Sequence, residues 1–323
     1  MYSTPAERRD AGTKHPLGEY VTVTAFAEFE YIGERFRLTE TSSRVRDNNF
    51  GLTLQAGLVA KPVPWLALEV VYEFAKDRQT HRHGFEEAIA KATFERFDVE
   101  AGTLFLPFGV FFNRFATAPL LEFGETRARG AVLSYDSDRG SNVGAFTYKV
   151  DSDVRANGRN LGWGLAMEAV ASPALRVGAS YLSSLAYAPQ GTPACTAPDP
   201  CRRVGAVSAF AVIGNDEIEV TAEILTALRS YTNPGQAGTR PRAWNVEVAL
   251  FPVNEVSLAF RVEGSTDLTG APGHRAGAAF SWRAARNVSF TVDYLHGRGN
   301  IEDPEGAAAD RSNRIGAQLN IGF

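Results

Sequence analysis

The sequence predicts an all-β fold, a transmembrane antiparallel β-barrel of about sixteen strands. Three observations lead to this prediction. Apolar and polar residues alternate with a period of two in successive runs between Tyr20 and Phe323. Many of these runs approach the roughly 9–11 residues that a tilted strand needs to cross a bilayer. The connections between the runs alternate between short and long, which is typical of antiparallel barrels.

The first run illustrates the alternation. In YVTVTAFAEFEY, residues 20–31, one face carries apolar residues such as Val23 and Phe29, and the other carries Thr24 and Glu28. A soluble sandwich would bury the apolar face in a core, whereas a membrane barrel would turn it towards lipid. Repeated carboxylates would be costly in a dry core but not on a solvated face. The number, length and connection pattern of the runs therefore favour the barrel.

The connections fall into two classes. The short ones lie at Lys61–Pro64, Glu95–Arg96, Ser172–Pro173, Gly214–Asp216, Pro252–Asn254 and Ala284–Arg286. The long ones lie at Glu40–Asn48, Asp77–Gly84, Leu106–Thr126, Asp151–Asn160, Leu185–Arg202, Ser230–Pro241, Gly264–Gly273 and Gly297–Ser312. If both termini are periplasmic, the short connections face the periplasm and the long ones face the exterior of the cell.

Composition bounds the partners and the compartment. The 323 residues carry a formal net charge of −4, so we expect no nucleic-acid partner. No run is long and apolar enough for a transmembrane helix. The first residues, MYSTPAERRDAGTKH, lack the apolar core of a signal peptide, so export would need a leader that this sequence does not contain. We expect a periplasmic tail at 1–19 and a barrel at 20–323, surrounded by the lipid of the bacterial outer membrane.

The two cysteines lie close together in a proline-rich segment. Cys195 and Cys201 belong to TPACTAPDPC, within a predicted long loop. A loop disulfide between them would suit an oxidising compartment. Two free thiols in a flexible loop are the alternative.

Aromatic residues stand near the ends of many runs, as expected for the two interfacial girdles of a membrane barrel. They include Tyr20, Tyr31, Trp65, Phe74, Tyr181, Trp244, Phe251, Trp282 and Tyr294. The chain ends on Phe323, in the run IGAQLNIGF. This ending resembles the terminal signature that the outer-membrane assembly machinery recognises in bacterial barrels, and it implies that machinery as a partner.

The third long connection is unusually apolar. Its sequence, AGTLFLPFGVFFNRFATAPLLEFGETRARG at 101–130, contains too many Phe and Leu residues for a solvated loop. We expect it to fold into the lumen and narrow it, with charges of both signs setting ion preference. The predicted constriction residues are Arg114, Glu122, Glu125, Arg127 and Arg129. Alternatively, Glu125 and Arg127 only pair to hold the loop while its apolar residues contact lipid.

This segment also resembles a known family. The motifs Pro107-Phe108-Gly109, Ala118-Pro119-Leu120 and Leu121-Glu122-Phe123-Gly124-Glu125-Thr126-Arg127 are similar to those of the LbtU-type siderophore porins. The match covers about thirty residues, and Ala118 stands where that family has an acidic residue. The coiled-coil-like N-terminal extension of that family is also missing. The resemblance implies a sixteen-stranded outer-membrane channel and a role in siderophore uptake. Phosphate-selective porins share a similar Pro-Phe-Gly element, so the broader class is a general porin.

The polar faces of the runs supply the predicted pore lining. Passive diffusion of small solutes or ions through a water-filled lumen is the expected function. The predicted lining residues are Glu28, Glu30, Glu69, Glu73, Glu168, Arg176, Glu219, Glu223, Glu247, Arg261, Arg275 and Arg314. Carboxylates outnumber guanidinium groups in this set, which predicts a mild preference for cations.

Other functions have weaker support. The sequence has no nucleotide-binding or hydrolase motif, so we expect no enzyme and no cofactor. His81 and His83 form an H-x-H pair in a predicted external loop, where solvation is a better explanation than metal binding. A barrel that serves as scaffold or sleeve for a partner protein is the alternative to a channel. Ala206, Ala276 and Ala278, if they lie on the outer face, would suit the flat wall of a homotrimer.

Overall fold

The computed structural model describes residues 15–16, 20–78, 81–138, 140–149, 161–185, 203–231 and 238–323. Most of the predicted tail at 1–19 lies outside these ranges, and so does the predicted disulfide between Cys195 and Cys201. Within the described ranges, no helix is long and apolar enough to span a membrane.

Sixteen long strands account for most of the described residues, as the alternation predicts. They are β1 Val21–Leu38, β2 Arg44–Val63, β3 Leu66–Lys76, β4 His81–Phe94, β5 Phe97–Phe105, β6 Arg127–Asp136, β7 Asn142–Lys149, β8 Leu161–Ser172, β9 Leu175–Leu182, β10 Ala206–Gly214, β11 Ile218–Ala227, β12 Arg242–Val253, β13 Val256–Thr266, β14 His274–Ala285, β15 Val288–Glu302 and β16 Ala308–Gly322.

The strands form a closed antiparallel barrel. Each strand pairs with the next along the chain, and β16 pairs with β1 in a register that sets Gln318 opposite Glu30. The seam is extended by Phe323, whose backbone N–H donates to the carbonyl of Ala25 at 2.8 Å. A two-residue bridge, His15–Pro16, pairs with the start of β1. Closure satisfies the backbone groups that an open sheet would leave unpaired in lipid.

The two rims of the barrel differ as predicted. One, the short-turn rim, is made of tight turns such as Glu95–Arg96, and the other, the long-loop rim, carries the longer connections. Two long connections are shorter than the sequence suggested. The strand β2 begins at Arg44, inside the predicted connection Glu40–Asn48, and β15 and β16 extend to Glu302 and Ala308, inside the predicted connection Gly297–Ser312. The strand ends are rich in charged residues, so their sequence resembles that of a loop. Their backbones nevertheless pair as strands above the apolar band, where water solvates the charged side chains.

The histidine pair is also placed differently from the prediction. His81 and His83 belong to strand β4 and not to an external loop. The phenol oxygen of Tyr72 lies 3.0 Å from Nδ1 of His83, and the ring of Phe74 meets that of His81 edge-on at 5.2 Å. Pairing with the aromatic residues of β3 therefore extends β4 past the point where polarity suggested a loop.

The outer face of the barrel is apolar. On β8, Leu161, Trp163, Leu165 and Met167 are 51–63% exposed, whereas the intervening Gly162 and Gly164 are buried. Gly162 lies directly under an aromatic ring, because a Cβ atom there would be 2.2 Å from the ring of Tyr148 on the inner face. Exposed apolar side chains in a continuous band are what a barrel needs to face hydrocarbon.

Aromatic pairs border this apolar band at both ends. Near the short-turn rim, Trp65 stacks on Phe94 with centroids 5.8 Å apart, and Phe97 lies 5.1 Å from Tyr135. Near the long-loop rim, Tyr31 lies 4.8 Å from Phe50 and Trp163 lies 4.8 Å from Tyr181. These pairs match the two girdles expected of a membrane barrel.

The prediction that three alanines lie on the outer face is wrong for Ala206. Ala206 is fully buried in the apolar cluster inside the barrel, while Ala276 and Ala278 are exposed on the outer face of β14. Ala206 is the first residue of β10, and it faces inwards together with Ser208. The prediction assigned Ala206 to the opposite face, because a shift of one residue reverses the face of every side chain in a strand.

Candidate functional site

The segment between β5 and β6, residues 106–126, is the longest described connection and contains most of the candidate site. Its two ends are joined, because the backbone N–H of Leu106 donates to the carbonyl of Thr126 at 2.8 Å. A short 3-10 helix, Leu120–Gly124, ends the segment. Gly109 has a φ of 76°, a conformation that glycine adopts without strain and that turns the chain directly after Pro107-Phe108. We call residues 106–126 the long segment.

The apolar residues of the long segment are buried. Phe108, Leu121 and Phe123 join one cluster with inward-facing side chains of the barrel such as Leu182 and Leu225. Gly124 allows the closest approach, since a Cβ atom there would lie 2.3 Å from Cδ1 of Leu225. Burial of these rings against the inner wall explains why so apolar a sequence can form a connection.

Tyr231, which lies beyond the end of β11, completes this apolar cluster. Burial raises the pKa of its phenol to about 12. The side chain therefore stays neutral at any physiological pH, as its place among apolar neighbours requires.

Charged side chains of the barrel hold the backbone of the long segment. The carboxylate of Glu223 on β11 accepts the backbone N–H groups of Val110 and Phe111 at 2.9 and 2.8 Å, and the hydroxyl of Ser208 at 2.8 Å. Three donors around one carboxylate form strong, charge-assisted hydrogen bonds. Glu223 thus fixes the first half of the segment.

The second half is held by two further carboxylates. Asp293 on β15 accepts the backbone N–H of Thr117 at 2.7 Å, and Glu263 on β13 accepts that of Leu120 at 2.7 Å. Their strands lie well away from β5 and β6 in the order of the barrel. The long segment therefore contacts the inner face of strands on the other side of the ring.

Two arginines bind carbonyl groups of the same segment. Arg261 donates to the carbonyl of Thr117 at 3.0 Å, and Arg275 donates to that of Ala118 at 2.7 Å. The guanidinium of Arg261 also lies 4.0 Å from the ring centroid of Phe115 and donates to Asn113. Carboxylates of the wall thus accept hydrogen bonds from the N–H groups of the segment, and guanidinium groups of the wall donate hydrogen bonds to its carbonyl groups.

The same arginines form buried ion pairs within the wall. Arg261 lies 3.0 Å from Glu247, and Arg275 lies 2.7 Å from Glu263. The side chains of Arg261, Glu247 and Glu263 are at most 1% exposed. Buried charges are stable only if they are paired and hydrogen-bonded, and the long segment supplies further hydrogen bonds to Arg261 and Glu263.

Arg114, near the middle of the long segment, contacts the wall of the barrel. Its guanidinium donates to Glu219, approaches Glu247 at 3.9 Å and lies 4.9 Å from the ring centroid of Phe251. Its side chain is 20% exposed. Arg114 therefore joins the segment to β11 and β12 by an ion pair at its midpoint.

These contacts divide the predicted pore-lining residues into groups. Glu219, Glu223, Glu247, Arg261 and Arg275 lie under or beside the long segment and bind it. Elsewhere on the inner face, Glu73 pairs with Arg82 at 2.9 Å. Glu168 pairs with Arg176 at 3.2 Å, and Glu69 is half-buried on β3.

A cavity of about 490 Å³ remains on the open side of the long segment. Four carboxylates border it, Glu28 and Glu30 from β1 and Glu122 and Glu125 from the long segment. Two guanidinium groups border it too, and each is paired with a carboxylate of the wall: Arg275 with Glu263, and Arg314 with Glu34 at 2.6 Å. Carboxylates thus outnumber guanidinium groups on the lining of the cavity, and this composition would attract a cation.

Arg127 and Arg129 lie apart from this cavity. Both are exposed on β6, and they alternate with Ala128, which is buried in the inner apolar cluster. They share their strand face with Leu133, which is 50% exposed on the outside of the barrel. The alternation thus separates these two arginines from Arg114, Glu122 and Glu125.

Sequence reasoning assigned no role to several residues that bind the long segment. None of these residues, which are Glu263, Asp293, Asn113 and Asn245, is among the predicted site residues. The carbonyl of Phe112 accepts a hydrogen bond from Asn245 at 3.4 Å. A signal was present in the sequence, because these acids lie in phase with Glu247 and Arg261, but only the position of the segment reveals what they bind.

The described residues contain no group of three or more His, Cys, Asp or Glu side chains that could hold a metal ion. The H-x-H pair on β4 has imidazole centroids 6.2 Å apart and is exposed. The rings of His83 and His81 lie against those of Tyr72 and Phe74.

Comparisons with known proteins place the fold. No family model matches the chain, and no curated protein matches it. Among solved structures, the Salmonella typhi OmpF complex with daunomycin is similar, with a TM-score of 0.63 at 14% identity over 96% of this chain and 100% of that one. An Rh. blastica porin mutant gives a TM-score of 0.60 at 12% identity over 93% and 100%.

A third structure, Pseudomonas aeruginosa OccK11 (OpdR), gives a TM-score of 0.52 at 12% identity over 93% and 96% of the two chains. Identities this low establish the fold alone. The chain has the closed sixteen-strand antiparallel barrel of outer-membrane porins, and this architecture points to the bacterial outer membrane.

Proposed function

We propose that this chain is a porin of the bacterial outer membrane, through which small solutes and ions diffuse passively. The long segment narrows the lumen, and solutes pass through the cavity bordered by Glu28, Glu30, Glu122 and Glu125. The observation that carries the proposal is the binding of 106–126 along the inner wall by Glu223, Glu263, Asp293, Arg261 and Arg275.

The contacts that hold the long segment bury charged groups, which costs free energy of desolvation. A plain structural barrel has no need for buried ion pairs, which cost more to desolvate than they return unless their geometry is complete. Here carboxylates of β11, β13 and β15 accept N–H groups of the segment, and Arg261 and Arg275 donate to its carbonyl groups. This arrangement would hold the long segment inside the lumen and leave a charged opening beside it. A narrow opening lined by charged side chains can select ions by their charge.

Liposome swelling tests the proposal directly. Purified chain refolded into liposomes should admit neutral sugars up to a sharp size limit, whereas liposomes without protein should not. Entry of no solute, with the barrel shown folded by its heat-modifiable mobility, would refute diffusion. Entry of all sugars without a size limit would refute the constriction.

A narrower proposal is siderophore passage, and it is supported only by the motifs at 107–109 and 118–127. The negative cavity favours cationic solutes, so an uptake assay should include ferric complexes of both charges. Growth of a siderophore-dependent strain that is unaffected by loss of this chain would remove the narrower proposal and leave the general one intact.

A scaffold or sleeve for a partner protein is the alternative function. The large inner surface bordering the cavity would then be occupied by another chain. Such a barrel should release no solute by itself and should co-purify with its partner. The expectation that the chain is not an enzyme is supported indirectly, because the solved structures that it resembles are porins.

Two partner proposals accompany the porin function. Phe323, 52% exposed at the end of the seam, is available to the outer-membrane assembly machinery during insertion. Ala276 and Ala278 leave a shallow outer surface on β14 for a homotrimer. Cross-linking in native membranes, which should give trimer bands that a bulky substitution at Ala278 abolishes, tests the second.

A further inference from the structure

Four arginines form a compact cationic surface at the long-loop rim. In the hairpin of β1 and β2, Arg35 stands directly opposite Arg46, and Arg37 stands directly opposite Arg44. All four are exposed. We call them the arginine hairpin.

The arginine hairpin faces outwards. Arg35 and Arg37 are in phase with Tyr31 on β1, and Arg44 and Arg46 are in phase with Phe50, which is 71% exposed on the outer face. The residues between them turn inwards, as the 8% exposure of Glu34 indicates. The four guanidinium groups therefore project away from the lumen and take no part in the proposed pore.

Like charges directly opposite each other on neighbouring strands are destabilising. Among the described residues, none of these four guanidinium groups is in an ion pair or a side-chain hydrogen bond. The acids of the same strands do not relieve the repulsion, because Glu34 pairs with Arg314 and Asp47 pairs with Arg78 at 2.9 Å. An anion between the two cross-strand pairs would supply the missing countercharge.

The height of the arginine hairpin fits a lipid headgroup. Val21 and Tyr31 are ten residues apart on β1, which at the usual rise and tilt is roughly 25 Å, the thickness of the apolar band. Arg35 lies four residues further along, roughly 10 Å beyond the Tyr31–Phe50 pair. That distance places the guanidinium groups level with the polar headgroups of the outer leaflet.

The cationic surface continues on the neighbouring strands. Arg311 of β16 stands opposite Arg37, and Arg298 of β15 stands opposite Arg311. Arg298 is in phase with Tyr294, which is 49% exposed on the outer face. Arg311 lies 3.7 Å from Asp310, and Arg298 donates to His296 at 3.1 Å, but within the described ranges Arg298 has no acidic partner.

We propose that the arginine hairpin, extended by Arg311 and Arg298, binds the phosphate groups of a phosphorylated lipid in the outer leaflet. Guanidinium groups bind phosphate through paired, charge-assisted hydrogen bonds. A lipid-borne phosphate at this height would sit between the cross-strand pairs while its acyl chains pack on the apolar band below. The inference goes beyond passage of solutes and rests only on the proposed membrane location.

The test uses the full refolded chain in a zwitterionic detergent, with diphosphoryl lipid A as the probe. Binding is measured by native mass spectrometry, and thermal stability is measured in the same samples. The variant is Arg35→Gln/Arg46→Gln, and Arg35→Lys/Arg46→Lys keeps the charge. Arg283→Gln/Arg286→Gln is the matched control, because it removes two exposed arginines at the opposite rim.

We expect the Gln variant to bind lipid A about tenfold more weakly than the native chain. The Lys variant should bind with intermediate affinity, and the control should bind as the native chain does. Without lipid A, the Gln variant should be at least as heat-stable as the native chain, because it loses a repulsion. Added lipid A should raise the melting temperature of the native chain more than that of the Gln variant.

Three results would overturn the proposal. Equal lipid A affinity of the native chain and the Gln variant would show that the arginine hairpin is not the site. An equal loss in the Arg283→Gln/Arg286→Gln control would indicate a general effect of charge. Stabilisation of the native chain by inorganic phosphate alone, to the extent seen with lipid A, would assign the surface to a free anion instead of a lipid.

Discussion

Glu223 shows what a single side chain contributes to the proposed constriction. Its carboxylate binds two consecutive N–H groups of the long segment, at Val110 and Phe111, together with Ser208. Hydrogen bonds to a charged group contribute about 1.5–3 kcal/mol each. One residue of the wall therefore fixes the start of a connection from the other side of the barrel.

Replacing this carboxylate should loosen the long segment. Glu223→Ala removes both hydrogen bonds to the backbone, so we expect faster proteolysis within 106–126 and a larger, noisier single-channel conductance. Glu168→Ala is the control, because its partner is Arg176 and not the long segment. Equal proteolysis and conductance in Glu223→Ala and the native chain would contradict the anchoring role.

The contacts of individual residues with the long segment could not be predicted from the sequence. Polar alternation placed Glu223, Glu247 and Arg261 on the inner face, but it could not tell that the long segment covers them. An exposed lining residue and a buried anchor have the same residue type and the same phase along a strand. Only the path of 106–126 distinguishes them, and that path depends on contacts between residues more than a hundred positions apart.

At the scale of elements, the long segment combines an apolar and a charged mode of attachment. Its 3-10 helix, Leu120–Gly124, packs on the inner apolar cluster, while its preceding residues are bound by charges. The sequence showed the apolar nature of this segment, and its narrowing of the lumen stays a prediction. The sequence did not predict the helix, because five residues are too few for a periodic pattern.

A larger side chain at position 124 should disturb the packing of the long segment on the wall. In Gly124→Val, the new Cβ atom would lie 2.3 Å from Leu225, so we expect the helix to leave the wall and conductance to increase. Gly144→Val is the matched control, since its Cβ atom would meet nothing closer than 3.6 Å. Proteolytic mapping of both variants should separate release of the long segment from a general loss of folding. Unchanged conductance in a folded Gly124→Val barrel would contradict this packing.

The strand ends show which part of an element the sequence can specify. Alternation predicted the strands inside the apolar band, where lipid selects one face and water the other. Above that band both faces are wet, so the pattern disappears although pairing continues. This explains why β2, β15 and β16 extend beyond their predicted ends.

At the scale of the whole molecule, the charges near the cavity determine which solutes pass. Glu28, Glu30, Glu122 and Glu125 outnumber Arg275 and Arg314 there. The sequence-based expectation of a mild cation preference stays a prediction, and the cavity gives it a location. The outer arginines contribute little to this field, because they lie beyond the wall and are screened by salt.

Neutralising two of these carboxylates should weaken cation selectivity. In a KCl gradient, the native chain should show a reversal potential of the sign expected for potassium, and Glu122→Gln/Glu125→Gln should bring it closer to zero. Arg129→Gln is the control and should leave the potential unchanged, because Arg129 is exposed in phase with Leu133 on the outer face. A native preference for chloride, or an effect of the control as large as that of the Glu122→Gln/Glu125→Gln variant, would contradict the assigned selectivity site.

The most direct test of the account is the single-channel conductance of the refolded chain in a planar bilayer, with and without deletion of Val110–Pro119. The deletion removes the part of the long segment that Glu223, Asp293, Arg261 and Arg275 bind, and it leaves all sixteen strands in place. We expect steady conductance steps in the native chain and larger steps after the deletion. Steps of equal size would contradict a constriction formed by the long segment, and silence of both folded proteins would contradict a channel.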